Sequence, residues 1–156
     1  MLDNSAPEEV DSQNSRQIDK KKGRILVLDS DRSTGDFLSS IIKLIGCDFE
    51  LVKSVEQAME LLEKTTFDLL ITDYHLPNSQ EFLQASVEKH PHMQTIIMVQ
   101  QRQVFLEAMR LPSATFIQKP FNFDDIVQKI HQAIHHGNVK QVEQQIQRLR
   151  HEIFRF

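Results

Sequence analysis

Three charged residues each close a short apolar run: Asp29 ends "RILVLD", Asp73 ends "FDLLITD", and Lys119 follows "ATFIQ". Two carboxylates brought together repel each other, which raises a carboxyl pKa and costs stability, so an ammonium or a metal cation must offset them. Oxygen donors of this kind suit a hard ion, and Mg²⁺ in particular binds through one or two carboxylates with phosphate oxygens and water. Beside such a cation Asp73 could attack phosphorus and form an acyl phosphate, while Lys119 pairs with the phosphoryl oxygens. Each acid alone reads as a strand-end turn former. Three charges at corresponding strand ends read as a site.

The elements that must position them follow from periodicity. Strand candidates are 24–29, 48–52, 67–73, 94–99 and 114–118, all rich in aliphatic and β-branched residues. Between the first two, Phe37, Ile41, Leu44 and Ile45 recur at helical spacing and stop before Gly46, a glycine C-cap. "SVEQ" opens the next helix as a capping box, with Ser54 as N-cap and Val55, Met59 and Leu62 as its apolar face. Weaker helical segments fall at about 80–89 and 102–110. After the last strand, Asn122 caps a helix whose stripe is Ile126, Ile130 and Ile134. Five βα units with nearly all-apolar strands predict an α/β protein, a five-stranded doubly wound parallel sheet of flavodoxin-like (βα)5 plan. In such a sheet ligands bind at the carboxyl ends of the strands, where the strand order reverses.

A chain of 156 residues with 40% hydrophobic residues supports one domain. The net charge of −4 carries no basic footprint for nucleic acid. The single Cys47 makes no internal disulfide, and no apolar stretch approaches the roughly 20 residues that span a bilayer, so a cytoplasmic protein with no membrane partner is expected. Residues 1–22 are polar, aperiodic and end in three lysines, and read as a disordered leader before a domain at 23–137. The histidines near helix ends, His90, His92, His135 and His136, lack a metal-ligand spacing.

"ILVLDSD", "DLLITDYHLP" and "FIQKPF", in this order, resemble a bacterial response-regulator receiver domain, over about residues 23–137. The resemblance implies that Asp73 is the phosphoacceptor and Lys119, before Pro120, the phosphoryl-pairing lysine. It implies a Mg²⁺ site built from Asp29, Asp73 and the main-chain carbonyl of His75. It also implies a sensor histidine kinase or phosphotransfer protein upstream, a downstream protein target, and signalling by contact rather than enzymatic turnover. The departures are specific. Ser30 stands where the family has a second acid, and Asp31 reaches the site only by a different loop geometry, so Mg²⁺ binding should be weakened. Gln100 replaces the small hydroxyl at the end of strand four, and Phe116 keeps a ring without a hydroxyl at the switch position on strand five. Only 18 residues separate Gln100 from Lys119, which implies a short fourth helix.

Those departures leave an alternative: a pseudo-receiver that binds constitutively without phosphorylation. A less favoured reading takes "ILVLDSDRS" as the opening of a haloacid dehalogenase-like phosphohydrolase, with Asp29 as nucleophile and Asp31 as acid/base. Residues 138–156 form the last segment, where Val139, Val142, Ile146, Leu149, Ile153 and Phe156 follow a 3, 4, 3, 4, 3 seam. That seam predicts a coiled-coil homodimer; the alternative is an amphipathic helix packed on its own domain.

Overall fold

The structure is a computed structural model, and it describes residues 23–100, 114–135 and 139–153, with the main chain alone for 139–145. The element order is β1 (Arg24–Leu28), α1 (Arg32–Ile45), β2 (Asp48–Val52), α2 (Val55–Lys64), β3 (Leu69–Asp73), α3 (Ser79–Lys89), β4 (Gln94–Val99), β5 (Ala114–Gln118), α4 (Phe123–Ile134) and α5 (Val139–Ile153). The strands pair in parallel in the order β2-β1-β3-β4-β5. The expected flavodoxin-like sheet is therefore present. Its order reverses between β1 and β3, so a crevice opens between their carboxyl ends. The expected leader at 1–22 and helix at 102–110 fall outside the described residues.

Alternation along each strand sorts the core into two layers. Ile25 and Val27 of β1, Leu69 and Ile71 of β3, and Ile96 and Met98 of β4 meet α1 and α4 on one face. Leu26, Leu28, Leu70, Ile97 and Val99 meet Val55, Ala58 and Leu62 of α2 and Phe82 and Leu83 of α3 on the other. Every residue of β3 is buried, and each such aliphatic side chain contributes about 1.5–3 kcal/mol of burial.

The caps follow the expected chemistry. Ser54 Oγ accepts the Gln57 N–H at 3.3 Å, and Gln57 Oε1 reaches back to the Lys53 N–H at 3.0 Å. Asn122 Oδ1 accepts the Asp125 N–H at 2.8 Å. Gly46 ends α1 at φ 89°, a left-handed conformation that glycine adopts without a Cβ penalty. Of the expected helix faces, Ile41, Ile45, Val55 and Leu62 are buried, whereas three positions are not. Phe37, Leu44 and Met59 are 38%, 47% and 46% exposed, and Leu38, Ile42 and Ala58 are buried instead. Contact with the sheet rotates the buried stripe slightly, so that these neighbours join Ile41, Ile45, Val55 and Leu62.

Helix α5 packs against its own domain. Leu149 is buried, Ile146 is partly buried against the α1/α4 layer, and Arg150 Nη2 pairs with Asp124 Oδ2 of α4 at 2.9 Å. Of the expected seam, Ile153 is half-buried, the side chains of Val139 and Val142 are not described, and Phe156 lies outside the described residues. The two described central seam positions thus follow the amphipathic alternative.

Candidate functional site

Register brings the two acids together. Leu28 lies opposite Thr72, which sets Asp29, the next residue, level with Asp73. The Asp29 N–H continues the ladder to Val52 O at 3.1 Å, and the Lys119 N–H bonds Val99 O at 2.7 Å. From beyond β5 the lysine side chain reaches across the end of β4. Its Nζ lies 2.7 Å from Asp29 Oδ2 and 3.6 Å from Asp73 Oδ2.

Both acids are largely enclosed, at 2% and 6% exposed for Asp29 and Asp73. Each carboxylate also accepts a main-chain N–H two residues on: Asp29 Oδ1 from Asp31 at 2.9 Å, and Asp73 Oδ1 from His75 at 3.0 Å. These bonds favour the charged forms. At Asp29 burial is the stronger influence and holds the carboxyl above its ordinary range, with the Asp73 charge adding to the rise and Lys119 and the Asp31 N–H opposing it. A carboxylate held at that cost beside an ammonium is a mark of a functional site.

The other expected residues divide clearly. Asp31 contributes through its backbone: its exposed carboxylate accepts from Thr34 Oγ1 at 2.6 Å at the start of α1, and that bond holds its pKa low. Ser30 is exposed beside it. Gln100 directly follows β4, and its main-chain N–H donates to His75 Nε2 at 3.1 Å. Phe116, partly buried on β5, packs with the α2/α3 layer. An open cleft of about 640 Å³ reaches Lys119 between Thr34, Phe37, Gln100 and Phe121, and the Phe37 and Phe121 rings stand 6.0 Å apart at its edge. Among the described residues no three His, Cys, Asp or Glu side chains cluster for a metal. Two carboxylates and a carbonyl nevertheless fit the sparse protein ligation of Mg²⁺, which keeps several waters. Asp29, Asp73 and the His75 carbonyl would hold it, and it would supply charge screening for a bound phosphoryl group.

Residues 25–131 match the family model described as the response regulator receiver domain. The chain belongs to this family. The receiver is 30% identical over 102 residues to the response regulator protein FleR of Pseudomonas aeruginosa, covering 63% of this chain and 22% of that protein. It is 27% identical over 117 residues to the transcriptional regulatory protein FixJ of Bradyrhizobium diazoefficiens, covering 72% and 57% respectively. The chain therefore spans less than two thirds of these relatives. Among solved structures, the non-phosphorylated HemR receiver domain of Leptospira biflexa superposes with a TM-score of 0.67 at 25% identity, over 75% of this chain and 98% of that chain.

Receivers of response regulators are signalling modules of two-component systems that work with histidine kinases or phosphotransfer proteins, and they typically bind Mg²⁺ at the phosphorylation site. No helix among the described residues is long and apolar enough to cross a membrane. Two features of this receiver escape sequence reasoning. The His75 to Gln100 bond joins residues 25 apart and depends on the β3/β4 register. His131, within the α4 segment, is 2% exposed with neither ring nitrogen hydrogen-bonded, and burial lowers its pKa to about 4. In sequence its only hint is its position one residue after Ile130 on the apolar stripe.

Proposed function

We propose that this receiver accepts a phosphoryl group on Asp73 from a phosphohistidine donor and signals through protein contacts. The observation that carries the reading is the placement of Lys119 Nζ between the two buried carboxylates, 2.7 Å from Asp29 and 3.6 Å from Asp73. In the transfer, an Asp73 carboxylate oxygen bonds to phosphorus as the donor's N–P bond breaks and the imidazole leaves. The lysine neutralises charge on the oxygens, and the enclosed site limits competing water. Mg²⁺ held by Asp29, Asp73 and the His75 carbonyl would screen the donor's charge. With Ser30 in place of an acid, its affinity is reduced. The exposed Phe37 and the partly buried Phe121 at the cleft edge offer an apolar landing surface for the donor protein.

A second reading draws on the same contact. Lys119 neutralises Asp29 without calling on a metal ion, which is what a phosphorylation-independent binding module would require. Incubation with Mg²⁺ and a small acyl-phosphate donor, read by intact mass, separates the two. One added phosphoryl group, absent in Asp73→Asn, supports phosphotransfer; no adduct in wild type, with an adduct gained in Ser30→Asp, supports the binding module. For α5 we propose packing on its own domain, since Ile146 and Leu149 already occupy the α4 side. Sedimentation at micromolar concentration should give a monomer, and a dimer would restore the coiled-coil seam.

A further inference from the structure

Position 100 carries the most conspicuous departure from the family pattern, because a Gln side chain cannot act as the small hydroxyl would. The structure shows a different group of Gln100 in use. Its main-chain N–H, which is independent of side-chain identity, donates to His75 Nε2 at 3.1 Å. His75 in turn donates its own main-chain N–H to Asp73 Oδ1 at 3.0 Å. One residue therefore bridges the phosphoacceptor carboxylate and the first residue beyond β4. In the bond from Gln100, Nε2 is the acceptor.

We propose that His75 is a positioning residue for Asp73: it clips the end of β4 to the β3 loop, and a phosphoryl group on Asp73 opens the clip. The proposal rests on Asp73 being the phosphoacceptor. Two physical arguments support the opening. The His75 N–H to Asp73 bond is charge-assisted while the carboxylate is ionised, and it weakens once one oxygen is phosphorylated and the charge moves to the phosphoryl group. The second bond, an N–H to nitrogen contact between exposed residues, is of ordinary strength, and phosphoryl oxygens are stronger acceptors for the Gln100 N–H than an imidazole nitrogen. Opening frees the backbone at Gln100, the residue that leads from β4 into the segment before β5. In this receiver the ring of His75 thus takes over part of the coupling that a strand-four hydroxyl would provide.

The N–H to nitrogen bond has a direct signature. In the uniformly ¹⁵N-labelled full chain, a scalar coupling should be seen between the Gln100 amide nitrogen and His75 Nε2. With Mg²⁺ and an acyl-phosphate donor, that coupling should be lost in step with adduct formation followed by intact mass. His75→Ala keeps the His75 carbonyl and main-chain N–H but removes the clip. It should raise the rate of adduct formation by roughly fivefold, the equivalent of one ordinary hydrogen bond no longer broken in the step. His75→Gln, whose Oε1 can accept in place of Nε2, should return the rate toward wild type. Absence of the coupling in the free protein overturns the proposal, as does a coupling that survives in phosphorylated protein or an unchanged rate in His75→Ala. If no variant forms an adduct, the Asp73 reading fails and this proposal fails with it. An adduct with an intact clip defeats the clip alone.

Discussion

Replacing Lys119 with Met removes the one cation, among the described residues, in contact with the two strand-end acids and keeps most of the side chain's volume. In the native site Nζ stands 2.7 Å from Asp29 and 3.6 Å from Asp73. At an effective dielectric of about 20, these contacts represent about 6 and about 5 kcal/mol of gross attraction. Desolvation of three charges offsets most of it, so the measured loss from breaking such a pair is nearer 3–5 kcal/mol. Lys119 keeps 12% of its side chain exposed, which lets water compensate in part, so we expect a loss of about 3 kcal/mol at pH 8. The loss should also depend on pH. Asp29 already has a pKa raised from its ordinary 3.8 by burial, with Lys119 opposing the rise. Without the lysine the rise grows. A raised carboxyl pKa means that the ionised group costs the fold stability above the native pKa, and that the cost fades as protonation neutralises it. The deficit of Lys119→Met should therefore widen as pH rises above the raised native Asp29 pKa of the wild type, at up to about 1.4 kcal/mol per pH unit, then level off above that of the variant. Urea denaturation of both proteins from pH 4.5 to 8 reads this directly, and Asp29→Asn in the Lys119→Met background should recover most of the loss. A deficit below about 0.5 kcal/mol at pH 8, or one that does not change with pH, would refute the reasoning.

Other consequences are open to similar tests. The His131 imidazole is buried with a pKa lowered from 6.5 to about 4, so the native state resists protonation and loses stability as pH falls from 6.5 toward 4. The loss should be about 2 kcal/mol after allowing for solvent screening, and His131→Leu should flatten that slope in chemical denaturation. Leu149→Ala should cost about 2 kcal/mol and raise amide exchange across α5 before the rest of the domain, because Leu149 anchors that helix to the α1/α4 layer. A uniform rise across the sheet would count against that local role. Ser30→Asp should tighten Mg²⁺ binding by about tenfold in calorimetry, as affinity follows the number of charged oxygen ligands. No change would mean that residue 30 does not face the site.

The sheet was the most legible part of the chain. β-branched runs bounded by polar residues located all five strands, with β3 starting at Leu69 rather than Phe67 and β1 ending at Leu28 rather than Asp29. Strand ends then placed Asp29, Asp73 and Lys119, because parallel register converts position along a run into position in space. Helix faces were less legible. In α1 the adjacent apolar residues Phe37 and Leu38 both fit a helical stripe, and only packing against the sheet decides that Leu38 is buried. Contacts that cross the sequence without a periodic signal were not legible at all. The His75 ring finding the Gln100 N–H, and Arg150 finding Asp124, depend on where whole elements dock. The heptad seam of α5 illustrates the same limit, since its apolar spacing suits a second copy or the domain's own α4 equally well.

The central claim is that Asp73 becomes an acyl phosphate. Treating the phosphodonor-incubated protein with borohydride reduces an aspartyl phosphate to homoserine, and peptide mass mapping then locates it. Homoserine at position 73, and none when Asp73 is replaced by Asn, is the predicted result. Recovery of unmodified Asp73, or homoserine at position 29, would contradict it.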